Sequence, residues 1–373
     1  MIYLDYSANT PADPRVLTRF AEIERQFPGN PNSSHAAGRA AKDALCEITA
    51  SIADLFGVRP SEIIYTSGAS EANNLAIKGI SRTTRHLGKH IISTPLEHPS
   101  VSGPLTYLQE QGYEIDLVDV QTDGTVDLAH LRELLRKDTV LIAVCAVDSE
   151  LGTVQPIAEI ASLLRDYPNC HLHVDATQAV GKLGLCLDGV DTAAFSAHKF
   201  YGLNGSGLLY KKESLVLEPI IHGGASTTLY RSGTPTLALA AALETALRLS
   251  LEQQAERIAL VREHNTLLRA RLSAYPKVRI NSPAAAIPHI LNVSVSGVKG
   301  GVFQKALDEA GVCVSVKSAC SVEGTPSRAV FAVSRDRKNA LSSWRVSLSH
   351  LTTDDELAQF LDAFDHCYKE LLK

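Results

Sequence analysis

The fold is decided by two stretches of sequence, HLHVDATQAVGK at residues 171–182 and TAAFSAHKFYG at residues 192–202. Each is a short apolar run that leads into a charged residue, Asp175 in the first and Lys199 in the second. A lone carboxylate is costly to bury, and lysine is rarely placed at a buried strand end unless it is paired or reactive. The spacing suits a helical crossover between neighbouring strands, so we expect both side chains at one edge of a sheet.

Outward from these stretches, short apolar runs alternate with helical patterns from about residue 60 to residue 210. The runs include EIIYTSGA, HIIST, EIDLVDV and VLIAVCAV. Alternation of this kind predicts a mostly parallel sheet that is covered by helices on both faces. In such sheets, ligands bind at the carboxyl ends of the strands.

The pattern changes after the long helical region that begins near Pro235. Strand patterns at HILNVSV, VCVSV and WRVSLS follow, with a helix at GGVFQKALDEAG and a last helix whose Thr353 and Glu356 are spaced as a capping box. The 373 residues exceed the size at which one hydrophobic core stops growing. We therefore predict a large domain over residues 15–250 and a smaller α/β domain formed by residues 1–14 and 251–373.

The composition is that of a soluble globular protein, with 45% hydrophobic and 21% charged residues. A net charge of -5 gives no electrostatic footprint for nucleic acid or for an anionic membrane. The most apolar long stretch, LALAAALETALRLSL, is interrupted by Glu244 and Arg248 and predicts an amphipathic or buried helix. The seven cysteines form no CxxC pair and the histidines show no metal-ligand spacing, so we expect no metal site and a cytoplasmic location.

A carboxylate and a lysine at neighbouring strand ends match pyridoxal phosphate, which forms a Schiff base with a lysine and pairs its ring nitrogen with a carboxylate. The turn in TSGASEANN places the amides of Ala69 and Ser70 at a helix N-terminus, where a phosphate binds. His98, just past the run HIIST, is a flat partner for the ring. Each feature alone has an ordinary interpretation, as a surface lysine, a loop histidine or a common glycine turn, but their combination favours the cofactor.

Further motifs extend over the chain: YLDYSANTPADPRV, GNPNSSHAAGR, ELGTVQPI, RSGT, ILNVSV, SAC and RVSLS. With the stretches above, they resemble those of the cysteine desulfurases of the NifS/IscS type, which are pyridoxal-phosphate enzymes of the class-V aminotransferase group. The resemblance implies fold type I, with a mostly parallel seven-stranded sheet in the large domain beside a smaller α/β domain. It also implies a homodimer that binds L-cysteine.

The resemblance implies a role for each matching residue. Lys199 would hold the cofactor as a Schiff base, Asp175 would pair with its ring nitrogen, and Gln178 would bind its phenolic oxygen. His98 would stack on the ring and shuttle protons, and Arg345 would grip the substrate carboxylate. The residues implied around the phosphate are Ala69, Ser70, Ser196 and His198, with Thr234 reaching the phosphate of the neighbouring subunit.

Cys320, in VSVKSACSVEG, is the nucleophile that the resemblance implies. It would take the sulfur of L-cysteine as a persulfide, with release of L-alanine, and pass it to an acceptor thiol. An iron–sulfur scaffold, a tRNA-thiolation relay and a dedicated apo-enzyme are all compatible with the sequence as that acceptor. Two other functions stay open: a C–S or C–Se lyase on the same fold, acting on cysteine, cystine or selenocysteine, and a catalytically quiet scaffold protein.

The sequence departs from the family pattern at three places. Asp148 and Ser149 stand where the family has paired asparagines, the second of which lies near the phenolic oxygen and the substrate carboxylate. We therefore expect Ser149 to reach cofactor and substrate only through water, and Asp148 to add a negative charge nearby. The segment ASTT at residues 225–228 and the pair Val316-Lys317 before the cysteine also differ, and the second change predicts a stiffer loop because a glycine is lost.

Overall fold

The computed structural model describes residues 1–317 and 324–373. Within these ranges, the main sheet is built from β2 (Ile63–Thr66), β3 (His90–Ser93), β4 (Glu114–Leu117), β5 (Thr139–Cys145), β6 (His171–Asp175), β7 (Thr192–Ser196) and β8 (Gly207–Lys211). The other strands are β1 (Ile2–Tyr3), β9 (Val278–Ile280), β10 (Ile290–Val295), β11 (Val312–Cys313) and β12 (Ser343–Ser347).

Helices connect and cover these strands. Those of the first half are α1 (Pro14–Gln26), α2 (Ala36–Phe56), α3 (Ala69–Thr83), α4 (Pro99–Glu110), α5 (Leu128–Leu134) and α6 (Ile157–Leu163). Those of the second half are α7 (Leu237–Glu252), α8 (Gln254–Leu272), α9 (Gly300–Glu309), α10 (Arg328–Ser334), α11 (Arg337–Ser342) and α12 (Asp354–Leu371).

The main sheet has the strand order β2-β8-β7-β6-β5-β3-β4. Neighbouring strands from β7 to β4 run parallel, whereas β8 is antiparallel to both β7 and β2. The prediction of an α/β fold with a mostly parallel seven-stranded sheet is therefore confirmed. The sequence did not predict the antiparallel strand β8, which arises because the connection from β7 is too short for a parallel crossover.

The connection between β6 and β7 differs from the prediction. Residues 176–191 form turns instead of the expected helix. Gly181 and Gly189 adopt positive φ angles of 71° and 75°, which glycine enters at little cost and which interrupt a regular helix. The two strands still pair in parallel, with Asp175 opposite Ala194, so their carboxyl ends face the same edge of the sheet.

Apart from the residues packed on the main sheet, a separate hydrophobic core surrounds the antiparallel sheet of order β12-β10-β9. Its centre is aromatic: Phe303, Trp344, Phe360 and Phe364 are fully buried, and the rings of Phe303 and Trp344 stack with centroids 5.3 Å apart. Strand β1 pairs in parallel with β11, so the N-terminal residues belong to this core. The predicted capping box at the start of α12 is confirmed.

Helix α7 contains the most apolar stretch of the sequence. Most of its residues are buried, and it packs against α1 and α2, so the interpretation as a buried helix is confirmed. Across the described ranges, no helix combines the length and the apolar character that crossing a membrane requires.

Gly207 on β8 lies where the sheet approaches the turn before α3. A Cβ atom at this position would lie 2.5 Å from the carbonyl oxygen of Phe195 and 2.6 Å from Cα of Gly68. Both neighbours are backbone atoms, so the strands or the turn must move. We expect Gly207→Ala to lower the free energy of unfolding by about 1–3 kcal/mol, measured from urea unfolding curves.

The matched control is Gly301→Ala in helix α9. A Cβ atom there would meet no described atom within 4 Å, and alanine is favoured over glycine in a helix by up to about 1 kcal/mol. This variant should keep or raise the unfolding midpoint. An equal midpoint for Gly207→Ala and the unmodified chain would contradict the close approach at Gly207.

Candidate active site

A cavity of about 360 Å³ opens at the carboxyl ends of the main sheet. Strands β5, β6 and β7 reach it with their last residues, Cys145, Asp175 and Ser196. Most of the predicted site residues line it: Ala69, Ser70, His98, Ser149, Asp175, Gln178, Ser196, His198, Lys199 and Arg345. Thr234 is exposed and is not part of this lining in the described chain, and Cys320 lies outside the described residues.

The carboxylate of Asp175 is buried at the end of β6, with 5% of the residue exposed. Its Oδ2 accepts a hydrogen bond from Nδ2 of Asn73 at 2.9 Å. Its Oδ1 accepts from the backbone N–H of Thr177 at 3.0 Å and from the hydroxyl of the same residue. Donors to both oxygens replace the water that burial removes, so the carboxylate can stay at the sheet edge.

Lys199 is the last residue of a short 3-10 turn, Ala197–Lys199, that follows β7 directly. Its Nζ donates to the carbonyl oxygens of Ser7 at 2.6 Å and Ala8 at 2.7 Å. The sequence reasoning assigned no role to these two N-terminal residues, because a backbone carbonyl leaves no signature in the side-chain pattern.

The turn before α3 forms a cradle for an anion. Helix α3 begins at Ala69, so its positive N-terminal end faces the cavity with the amides of Ala69 and Ser70. Gly68 caps it at a φ of 148°, and a Cβ atom there would lie 3.2 Å from Oγ of Ser196. Helix amides and a hydroxyl are the donors that a phosphate group requires, so the residues present fit pyridoxal phosphate together with Lys199 and the carboxylate.

His198 adds a neutral polar group to this cradle. Its Nδ1 lies 3.0 Å from Oγ of Ser196. Burial lowers the pKa of His198 to about 4, and the charges of Lys199 and Lys182 add to the effect. The imidazole is therefore neutral at physiological pH and serves as a hydrogen-bonding partner rather than as a cation.

The imidazole of His98 is held in one tautomer. Its Nδ1 accepts from the backbone N–H of Ser100 at 3.1 Å and lies 2.8 Å from the hydroxyl of the same residue. A backbone N–H can only donate, so the ring proton must be on Nε2. Burial lowers the pKa of His98, which keeps the ring neutral.

The side-chain amide of Gln178 is held by hydrogen bonds at both its nitrogen and its oxygen. Its Nε2 donates to the carbonyl of Ser7 at 2.9 Å, and its Oε1 accepts from Nζ of Lys182 at 2.5 Å. Burial lowers the pKa of Lys182 to about 7, helped by the charges of Lys199 and Arg345. The sequence reasoning missed Lys182, although it stands four residues after Gln178 in the stretch that decides the fold.

Arg345 reaches the cavity from β12 and is only 2% exposed, so it is not a surface arginine. Its Nη2 forms an ion pair with Oδ1 of Asp5 at 2.9 Å, and its Nη1 donates to the carbonyl of Ser149 at 2.7 Å. Its Nε is buried and finds no hydrogen-bond partner in the described parts of the chain. The guanidinium is thus oriented by Asp5 and Ser149, and one of its N–H groups has no partner among the described residues.

Asp148 stands beside the cavity, not in its lining among the described residues. It is fully buried, and its Oδ2 accepts from the backbone N–H groups of Glu150, at 3.0 Å, and of Leu151. Burial, together with the nearby charge of Glu150, raises the pKa of Asp148 to about 7. The raised pKa means that Asp148 carries less of the expected negative charge near neutral pH than an exposed aspartate would.

Hydrogen bonds connect the residues on the two sides of the segment that contains Cys320. Nζ of Lys317 donates to the carbonyl oxygen of Thr325 at 3.0 Å and to its hydroxyl at 2.7 Å. Cys313, the other cysteine near this segment, lies in β11, as the alternation of VCVSV predicted. The predicted role of Cys320 itself stays a prediction, because residues 318–323 lie outside the described ranges.

Comparisons with known proteins identify a family and several relatives of this chain. The model of the family "Aminotransferase class-V" matches residues 2–360. The chain is 37% identical to a NifS/IcsS protein homolog of Lactobacillus delbrueckii subsp. bulgaricus, over 100% of this chain and 98% of the relative. It is 39% identical to the cysteine desulfurase IscS of Proteus mirabilis, over 95% and 90% of the two chains. The fold matches a solved NifS-like protein with a TM-score of 0.92 at 31% identity, over 98% of each chain.

The raised pKa of Asp148 makes the stability of the chain depend on pH. Its pKa is about 7 in the folded chain against an ordinary value of 3.8, so the folded state binds a proton between these values that the unfolded state releases. The stabilisation is fully present below the lower value and is lost as pH rises through the higher one. We expect Asp148→Asn to stabilise the chain by about 1–3 kcal/mol at pH 8 and by less near pH 5, from urea midpoints.

The exposed Asp43→Asn is the control, since it removes one carboxylate without relieving a buried charge. Its effect on the midpoint should be small at both pH values. A stability difference between Asp148→Asn and the unmodified chain that does not change with pH would contradict the buried, protonated carboxyl.

Proposed function

This chain belongs to the class-V aminotransferase family, and we propose that it is a pyridoxal-phosphate-dependent cysteine desulfurase that converts L-cysteine to L-alanine and passes the sulfur to an acceptor thiol. The observation that supports this function most is that Lys199, Asp175 and Arg345 reach one cavity from separate parts of the chain. Together they offer an amine for the cofactor, a carboxylate for its ring nitrogen and a fork for an amino-acid carboxylate.

Bound pyridoxal phosphate supplies an electron sink, so that the Cα–H bond of the substrate can be broken and its Cβ–S bond becomes labile. Lys199 would hold the cofactor and, once the substrate amine has displaced it, would take the Cα proton on Nζ. The carbonyls of Ser7 and Ala8 already accept hydrogen bonds from this nitrogen, which supports a role for them in holding its protonated form.

His98 and Asp175 would hold protons at two defined atoms. His98 carries its proton on Nε2, which makes it a donor toward a ligand in the cavity. Asp175 would keep a proton on the ring nitrogen of the cofactor, because a carboxylate accepts the N–H that forms there. Gln178 would donate to the phenolic oxygen, since its amide is already fixed by Ser7 and Lys182.

Arg345 would bind the carboxylate of L-cysteine. Its Nε and the donors held by Asp5 and Ser149 lie on one planar group, and a carboxylate can accept two parallel hydrogen bonds from such a fork. Ser149 takes part through its backbone carbonyl, which orients the guanidinium. Its short side chain lines the cavity.

Cys320 would take the sulfur. Its thiolate attacks the sulfur of the substrate, and an S–S bond forms as the Cβ–S bond breaks. The electron pair of the broken bond goes to the substrate carbon, where a proton converts the product to L-alanine. The sulfur stays on Cys320 as a persulfide until an acceptor thiolate attacks it and restores the cysteine thiolate.

The proposal includes a homodimer, in which Thr234 reaches the phosphate of the neighbouring subunit, and a cytoplasmic location. The acceptor is an iron–sulfur scaffold or a thiolation enzyme. Alanine release without sulfur on the protein would instead favour a C–S lyase.

Variants of Lys199 and Cys320 separate the two halves of this reaction. We expect Lys199→Ala to abolish both the visible absorbance of lysine-bound cofactor and the formation of alanine from L-cysteine. Cys320→Ser should keep that absorbance but lose labelled sulfur on the protein after gel filtration, with alanine formation at least about 100-fold slower. The exposed Cys186→Ser is the control and should behave like the unmodified chain. Alanine formation at the native rate by Cys320→Ser would overturn the assignment of the nucleophile.

Arg345→Lys tests the substrate site. A lysine keeps the positive charge but cannot present two parallel N–H groups, so we expect KM for L-cysteine to rise about 10–100-fold with a smaller change in kcat. The control is Arg279→Lys, at an exposed residue of strand β9, which should leave both constants unchanged. An unchanged KM for Arg345→Lys would exclude Arg345 as the carboxylate site.

A further inference from the structure

Asn73 lies behind the cavity on helix α3 and is fully buried. Its Nδ2 lies 2.9 Å from Oδ2 of Asp175 and 2.9 Å from Oγ of Ser100, and its Oδ1 lies 2.9 Å from Nε2 of His173. A carboxylate can only accept hydrogen bonds, so the amide nitrogen must face Asp175 and the amide oxygen must face His173. The orientation of this side chain is thereby settled by chemistry.

The same reasoning fixes the protons of His173. Because Oδ1 of Asn73 can only accept, Nε2 of His173 carries the ring proton and donates it. Its Nδ1 is then an acceptor and takes the hydroxyl proton of Thr192 at 2.9 Å. Burial lowers the pKa of His173 to about 4, which agrees with a neutral ring that has one donor and one acceptor.

The chain of hydrogen bonds continues on the other side of Asn73. Its second N–H donates to Oγ of Ser100, and the hydroxyl of Ser100 points to Nδ1 of His98 at 2.8 Å. Every donor in the chain, from Thr192 through His173 and Asn73, therefore points toward Asp175 or toward Ser100 and His98. Hydrogen bonds that all point in one direction polarise and strengthen one another.

We propose that Asn73 is a positioning residue that holds Asp175 and His98 together, and that His173 is the residue that fixes its amide. The inference rests on the proposed function, because Asp175 and His98 act on the cofactor there. One side chain thus couples the carboxylate that meets the ring nitrogen to the imidazole that meets the ring face. Neither Asn73 nor His173 lines the cavity in the described chain, so their effect is indirect.

The test is the pH titration of the absorbance of lysine-bound cofactor in Asn73→Leu, which has a similar volume but no polar group. Without the N–H of Asn73, Asp175 is a stronger base and takes more of the proton shared with the ring nitrogen. We expect the pKa of the lysine-bound chromophore to rise by about 1 unit, and kcat to fall about 10-fold with KM changed less than about twofold.

Variants of His173 provide the second line of evidence and do not depend on the folding of Asn73→Leu. His173→Gln keeps an N–H for Oδ1 of Asn73 and should titrate like the unmodified chain, whereas His173→Leu should shift the chromophore in the same direction as Asn73→Leu. In the double variant, His173→Leu should add nothing to Asn73→Leu, since both act through one amide.

The control is Asn265→Leu, which removes a buried amide on α8 that donates to Pro288 and accepts from Arg269. It should lower the unfolding midpoint but leave the chromophore pKa unchanged. Equal titrations for Asn73→Leu, His173→Leu and the unmodified chain would overturn the proposal. Normal cofactor titration without alanine formation in the unmodified chain would instead sink the proposed desulfurase function and leave the positioning role standing.

Discussion

The carboxylate of Asp175 needs hydrogen-bond donors because it is buried at the end of a central strand, and the site is arranged around this need. The donors come from Thr177, two residues further along the loop, and from Asn73 on helix α3. Without these donors the carboxylate would lose the hydrogen bonds that replace water, and its burial would cost free energy. The hydrogen bonds of this one carboxylate thus link the end of β6, the loop that follows it and helix α3.

A second constraint joins the two ends of the chain. Strand β1 pairs with β11, and this pairing brings Asp5, Ser7 and Ala8 against the main sheet. Asp5 then binds Arg345 from β12, while the two carbonyls bind Lys199 after β7. The cavity is therefore complete only when the main sheet and the core around β10 and β12 have both formed, because the first carries the amine of Lys199 and the second the guanidinium of Arg345.

The sequence predicted the parts of this site that depend on strand ends. An apolar run that stops at Asp175 or before Lys199 indicates that the charged residue lies at the end of a strand. Parallel strands bring such residues to the same edge of the sheet. The same reasoning failed for Asn73 and Lys182, since polar residues within a helix or a loop are usually exposed. Only the packed structure shows that Asn73 is buried and that Lys182 is half-buried beside Gln178. The turns at residues 176–191 were also missed, because their length resembled a crossover helix although glycines interrupt it.

Burial removes charge from most of the titratable groups around the cavity. It lowers the pKa values of His98, His173 and His198 and raises those of Glu97 and Asp148, so these groups tend toward their neutral forms. The ion pair between Arg345 and Asp5 persists beside them, since each partner balances the other. In the proposed reaction, the carboxylate of the amino-acid substrate would share the guanidinium with Asp5, because a planar group with several N–H donors can bind two carboxylates at once.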